Sequence, residues 1–257
     1  MLTVLTSGKA APGVTTTACA LATTWPRALL LADCDLAGGD VAPGLMAGRV
    51  GAETGLLSWS AAVRHETGPA AAASALLSHA VQIPEHPMLG LLPGFGTAAQ
   101  GASFTAATWE RLSTALAAAP RSLGRDVLVD TGRLVGDRGC WPVVRAADLV
   151  LLVVRPSVRS VHAAHDALRR LRTELGDLGT VSALVVGAGP YSADEVAGTL
   201  GIPLAGRMPA DGVSASVFSD GVAASGRGMR RSPLVRSAGE MARRLAAADR
   251  SRTSVSA

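Results

Sequence analysis

Lysine is almost missing from this chain: of its 24 basic residues only Lys9 is lysine, and the other 23 are arginine. Cysteine is scarce too. Cys19, Cys34 and Cys140 are odd in number and show no C-x-x-C spacing, which excludes a disulfide framework or zinc site and leaves three small buried hydrophobes. Aromatic residues make up 3% of the chain, few to stack on the bases of a single strand, so sequence-specific single-strand recognition is not expected. The longest uninterrupted apolar run, Leu149 to Val154, is far short of a membrane span, and no charged segment leading into a long apolar one opens the chain. A cytoplasmic protein with no transmembrane segment is expected. His65, His79 and His86 lack the mutual spacing of metal ligands.

What is present suits one large core: 257 residues, 48% apolar and 17% charged. The net charge of +4 is uneven, because the segment after Ser225 carries eight arginines against Glu240 and Asp249, a local balance of +6. Such an end can hold DNA nonspecifically or anionic lipid, and it can equally be a solvated helix face.

The most informative stretch runs from Thr6 to Thr17, between the apolar run Leu2–Leu5 and a helix-like run that continues to Trp25. A strand that breaks into a small-residue loop and re-enters as a helix aims backbone N–H groups and the positive helix end at one point, which makes an anion site. Gly8 and Gly13 permit the tight backbone, Pro12 stiffens it, and Thr15 and Thr16 place hydroxyls on the first helical turn, where a phosphate or its Mg²⁺ would sit. The standard phosphate loop reads G-x-x-x-x-G-K-S/T; Gly8 to Thr15 keeps that spacing with Val14 in place of the lysine. Two further strands end in carboxylates. Ala28–Ala32 leads into Asp33-Cys34-Asp35-Leu36-Ala37-Gly38-Gly39-Asp40, and Asp126–Val129 leads into Asp130-Thr131-Gly132, so both deliver acidic groups to the carboxyl edge of a parallel sheet.

This set resembles the deviant phosphate loop of the ParA/MinD ATPases of the SIMIBI class, whose pattern is K-G-G-x-G-K-S/T-S/T. By that match Lys9 falls on the signature lysine, Ala10 and Ala11 on the paired glycines, and Gly13 on the third glycine. Thr15 and Thr16 fall on the hydroxyl pair, and Val14 on the ordinary lysine. An apolar residue there, together with the D-x-D-x-x-x-G-D form of residues 33–40, is nearest to the CpaE/TadZ pilus-assembly branch. The resemblance implies ATP and Mg²⁺ as cofactors, with Gly8, Lys9, Ala10, Ala11, Pro12, Gly13, Val14, Thr15 and Thr16 around the nucleotide. It further implies Asp35 orienting the attacking water, Thr15 and Asp130 holding the metal with Asp33 near it, and Asp130 lying on a Walker B strand. Ala146–Val154 followed by Pro156-Ser157 matches the family's next strand–helix unit. Gly206 to Asp211 matches its G-x-I/V/M-P-x-D loop, placing Met208 and Pro209 beside adenine. A family asparagine that reads adenine usually follows the strand at Val181–Val186, and here Gly187-Ala188-Gly189 stands instead.

The fold expected is α/β, a three-layer P-loop sandwich with a mostly parallel sheet and helices on both faces. One domain over residues 1–248 is expected, its terminal helix ending at Ala248, with a disordered polar tail at 249–257. Helix-compatible stretches are read at Leu56–His65, Pro69–Val81 and Phe104–Ala118, and short strands at Leu89–Leu92 and Ile202–Ala205. The family implies a nucleotide-dependent homodimer that positions cellular cargo with the help of other protein partners. Losing the charge at position 14 removes a bond of roughly 1.5–3 kcal/mol, so weakened binding and slow hydrolysis are expected. The competing reading is a pseudo-ATPase scaffold that binds no nucleotide; a small-molecule kinase or ligase is disfavoured because such enzymes keep the lysine that Val14 replaces.

Overall fold

Strand runs that are apolar at every position need cover on both faces, as in a parallel sheet flanked by helices. The computed structural model describes residues 1–9, 13–47, 49–51, 53–65, 68–134, 139–221 and 226–255. Its strands are β1 (Leu2–Ser7), β2 (Leu29–Asp33), β3 (Val81–Ile83), β4 (His86–Leu92), β5 (Asp126–Arg133), β6 (Leu149–Val154), β7 (Val181–Val186) and β8 (Leu204–Met208). Its helices are α1 (Val14–Thr23), α2 (Val41–Leu45), α3 (Leu56–Ala62), α4 (Pro69–Ser78), α5 (Ala98–Ala102), α6 (Ala106–Ser122), α7 (Trp141–Arg145), α8 (Val158–Leu175), α9 (Ala193–Leu200), α10 (Gly212–Ser219), α11 (Gly226–Arg231) and α12 (Pro233–Val255).

The strands form one sheet in the order β3-β4-β2-β5-β1-β6-β7-β8. Only the β3–β4 pair is antiparallel. Chain order reverses at β1, which lies between β5 and β6, and ligands of open parallel sheets bind at such a switch point. Alternation along the strands sorts the core into two layers. Val4, Leu30, Val127 and Val129 pack with residues of α3, α4, α6, α7, α8 and α9, including Trp59, Trp109 and Trp141. Leu5, Leu29, Leu31 and Leu128 pack on the other face with residues of α1, α10 and α12. By the same alternation Asp33 and Asp130, aligned in register on β2 and β5, point to the face that α1 covers. The α/β architecture, with a mostly parallel sheet between helical layers, is as expected, and the three cysteines are buried and unbridged.

Three expectations are corrected. Val81 does not extend the helix before it: α4 stops at Ser78, and Val81–Ile83 turns through Pro84-Glu85 to pair with β4 as an antiparallel edge. The strand expected at Ile202–Ala205 lies slightly later, at Leu204–Met208, with a register irregularity against β7. The terminal helix does not end at Ala248 but continues to Val255, while residues 256 and 257 lie outside the described residues. No glycine or proline interrupts residues 240–255. Asp249 is also held by the Arg27 guanidinium at 3.1 Å. Arg27 in turn donates from Nε to Asp126 at the start of β5, at 2.8 Å, where the Trp25 indole N–H donates as well.

Phe95, Phe104 and Trp109 meet edge to face, with centroids 5.0 to 6.2 Å apart, and join the end of β4 to α6 beneath the acidic loop. Trp109 is 2% exposed. Trp109→Ala is expected to destabilise the fold by about 3–5 kcal/mol, read as a lowered urea midpoint with an unchanged slope.

Candidate functional site

The loop after β1 is tied down at its base. Ser7 is buried, and its hydroxyl lies 2.8 Å from the carbonyl of Lys9 and 3.3 Å from that of Gly132, so the loop start is fastened to the end of β5. Gly8 leaves no room for a side chain: a Cβ there would overlap the backbone carbonyl of Ala163 in α8. Gly13, at φ 98°, turns the chain into α1 in the left-handed region that favours glycine, and it offers no side chain to cap the helix. The N–H groups of the first turn of this 10-residue helix, carried by Val14, Thr15 and Thr16, thus face the carboxyl edge of the sheet.

Asp33 and Asp130, both completely buried, stand side by side there. Asp130 Oδ1 accepts the Gly132 N–H at 2.8 Å, and Oδ2 has no hydrogen-bond partner among the described residues. Burial pushes the Asp130 carboxyl up to about 6, the Thr15 hydroxyl and the Gly132 N–H acting against that rise and Asp35 and Asp40 adding to it. Asp33 is raised well above the ordinary range, by burial first and by Asp130 second. Its two oxygens accept the N–H groups of Asp35 (3.3 Å) and Val41 (3.2 Å), which hold both ends of the acidic loop. Gly39 and Gly94 wall it in, since a Cβ at either would crowd Asp33. Asp35 is half-buried; its carboxylate accepts the Ala37 N–H at 2.8 Å and lies on Gly132, whose φ of +57° and missing side chain make the contact possible. Burial raises the Asp35 carboxyl, Ala37 lowers it, Asp40 raises it and Arg133 lowers it.

Thr15, Asp33, Asp35 and Asp130 are therefore brought together, with Gly8, Gly13 and Thr16 beside them. Asp33, Val14 and Met208 also have contacts within the fold. Both oxygens of Asp33 are engaged by the acidic loop, which makes it the anchor of that loop. Val14 is 5% exposed and its side chain packs in the layer between the sheet and α12. Met208 is buried in the same layer, and its carbonyl accepts the Gly187 N–H at 2.8 Å, with half-buried Pro209 following. Lys9 is exposed and makes no ion pair among the described residues. Ala10, Ala11 and Pro12 lie outside the described residues, as does most of the loop after Arg133. Sequence reasoning missed Ser7 and the glycine walls at positions 39, 94 and 132; Gly94 carries a signal, following a proline directly after a buried strand.

The fold is similar to that of solved MinD and ParA proteins. The chain superimposes on the MinD cell division protein of Aquifex aeolicus with a TM-score of 0.70 at 21% identity, over 96% of this chain and 97% of that one. A ParA family ATPase from Chlorobium tepidum TLS gives 0.71 at 21% identity, over 94% and 98%. The septum site-determining protein MinD of Pyrococcus horikoshii OT3, complexed with Mg-ADP, gives 0.64 at 15% identity, over 95% of each chain. No family model and no curated protein matches the sequence. Among the described residues no helix is long and apolar enough to cross a membrane.

A carboxyl that keeps its proton to about pH 6 when folded, but loses it near pH 4 when unfolded, costs stability as pH rises through that window. Without added metal or nucleotide, the protein is expected to melt at a higher temperature at about pH 5 than at about pH 7.5. Asp130→Asn is expected to flatten that dependence; equal slopes for the two proteins in thermal melts would contradict the assignment.

Proposed function

We propose that this chain is an ATP- and Mg²⁺-binding MinD/ParA-like protein, whose nucleotide stabilises a face-to-face homodimer that positions cellular cargo. Slow ATP hydrolysis completes the reading. The observation that carries it is buried Asp130, whose Oδ1 accepts the Gly132 N–H while Oδ2 has no hydrogen-bond partner among the described residues, with the Thr15 hydroxyl beside the carboxylate. A buried carboxylate with one oxygen left unpaired is unfavourable unless a cation or proton reaches it. A threonine hydroxyl and a carboxylate are hard oxygen donors, and so few of them suit Mg²⁺, which keeps much of its water. The residues present thus fit the metal: Thr15 would hold it directly and Asp130 through water, while Asp33 anchors the acidic loop beside them. When bound, Mg²⁺ neutralises phosphate charge and orients the triphosphate.

The remaining roles follow the same chemistry. The N–H groups of α1 take the phosphates, and Thr16 adds a hydroxyl. Asp35, made a better proton acceptor by burial and fixed by Ala37 and Gly132, orients the attacking water. Lys9, with its backbone tied to Ser7 and its side chain in solvent, carries its charge to a partner's phosphates rather than to its own carboxylates. The CpaE/TadZ branch is supported by Val14 and by the form of residues 33–40. Exposed Arg231, Arg236, Arg243 and Arg244 give the C-terminal end a face suited to nonspecific DNA.

The packing of Val14 in the core favours a second reading, a scaffold that binds no nucleotide. Equilibrium titration with ATP, with and without Mg²⁺, separates the two. Binding that requires Mg²⁺, together with ATP-dependent dimerisation in light scattering that Lys9→Ala abolishes, supports the switch. No binding at about 1 mM ATP, a free energy near −4 kcal/mol, leaves only the scaffold.

A further inference from the structure

We infer that the outer edge of β8, beside α12, is a docking groove for an acidic, extended segment of a partner protein, which joins the sheet as an added strand. The inference stands apart from the nucleotide reading above.

β8 ends the strand order, so one of its sides pairs with β7 and the other has no strand against it. Its exposure follows. β1 and β2, inside the sheet, are buried at every position, whereas Leu204, Ala205 and Gly206 are half-buried and Arg207 is exposed. Along a strand the N–H and carbonyl groups of successive residues point alternately to its two sides. The carbonyls of Pro203 and Met208 accept the N–H groups of Ala183 in β7 and Gly187 just after it, at 2.7 and 2.8 Å. Their neighbours Leu204 and Arg207 therefore turn both backbone groups outward, and no hydrogen bond among the described residues meets them there. Ala205 is the extra residue between them, since Ala183 and Leu184 pair with Leu204 and Gly206. Unmet donors and acceptors on a sheet edge are a template for another strand.

The space beside this edge has the shape of a strand. An open groove of about 1280 Å³ is lined by every residue of β8 and by one flank of α12 from Pro233 to Ala247. The strand extends about 17 Å and that length of helix about 21 Å, so the groove is long enough for an extended chain. α12 seats Ala238, Met241 and Ala242 against the sheet and leaves Ser237, Glu240 and Arg244 beside the groove.

Charge selects the occupant. Three arginines, Arg207, Arg243 and Arg244, line the groove against Glu240, a local balance of +2. None of the four makes an ion pair among the described residues. The Arg244 guanidinium lies over the strand itself, for a Cβ on Gly206 would come within 3.0 Å of its Nη2. A cation is thus held against the backbone that an incoming segment would join. A second copy of this chain, paired edge to edge through β8, would bring these arginines together, and like charges on paired strands repel. A bulge, a charged side chain and prolines at both ends keep an edge from taking apolar strands, which leaves this one to a segment of opposite charge. Duplex DNA is attracted by the same arginines but brings no row of alternating N–H and carbonyl groups to Leu204 and Arg207.

The test is fluorescence anisotropy of the intact protein with a labelled, end-blocked peptide of alternating glutamate and valine, seven residues in all. A dissociation constant below about 100 µM is expected. Arg207→Glu or Arg244→Glu is expected to weaken binding about tenfold with the melting temperature unchanged. Two further peptides carry N-methyl groups, one on its glutamate amides and the other on its valine amides, so that each loses the donors of one side. Methylation of one set is expected to weaken binding at least about tenfold and of the other to leave it within about threefold, because only one side of an added strand meets β8. Equal effects of the two sets show that charge alone attracts the peptide, and they overturn the inference. It is overturned equally by a lysine-for-glutamate peptide that binds as well, by affinity that neither arginine variant changes, or by a DNA duplex that binds where the acidic peptide does not. Absence of peptide binding at about 1 mM overturns it too, and leaves the proposed function untouched.

Discussion

The functional end of this molecule depends on two carboxylates, Asp33 and Asp130, held side by side out of water on adjacent strands. Two anions in such a place repel, and solvent is not there to separate them. The structure meets the problem differently for each. Asp33 is satisfied from within, by N–H groups at the two ends of the acidic loop. Asp130 is left with one oxygen that has no hydrogen-bond partner among the described residues, with the Thr15 hydroxyl close to the carboxylate. One carboxylate thus shapes the loop, while the other waits for a proton or a cation.

Packing around the pair accounts for the small residues nearby. Gly39 and Gly94 press on Asp33, Gly132 lies under Asp35, and Gly8 abuts α8. At each position a methyl group would push a functional element out of place, so glycine here serves close approach. The consequence is a rigid floor under Asp35, whose carboxylate rests on the same Gly132 whose carbonyl faces the hydroxyl of Ser7. A displacement at the end of β5 would therefore reach the acidic loop and the phosphate loop together.

The parts visible from sequence were those set by local pattern. Continuous apolar strands ending in Asp33 and Asp130 marked the sheet and its carboxyl edge, and Gly8 and Gly13 marked the end of β1 and the start of α1. What was not visible depends on pairing between distant segments. Val81–Ile83 is a strand because β4 offers it an edge, not because Val-Gln-Ile alternates strongly. The last turns of α12 looked like a polar tail because Asp249 finds its partner in Arg27, on the far side of the sequence. Ser7 could not be recognised as a fastener, since its second acceptor, the Gly132 carbonyl, lies 125 positions away. Asp33 reads as a metal-side carboxylate by its motif, and only the positions of the Asp35 and Val41 amides show that its oxygens are already engaged.

Val14 and Lys9 show how one sequence change redistributes charge across the site. An ordinary phosphate loop keeps its lysine on the first helical turn, inside the protomer that binds the phosphates. Here that position is apolar and sealed into the layer between the sheet and α12, while the one lysine of the chain stands in solvent, clear of Asp33, Asp35 and Asp130. Helix N–H groups and a metal can hold a triphosphate within one protomer, but they leave part of its negative charge uncompensated. On the function proposed above, a second copy would supply the missing charge by approaching closely enough for its own Lys9 to reach that triphosphate. Removing the internal lysine would then shift nucleotide binding toward the associated state, so that affinity for ATP and affinity between copies would be two expressions of one coupling.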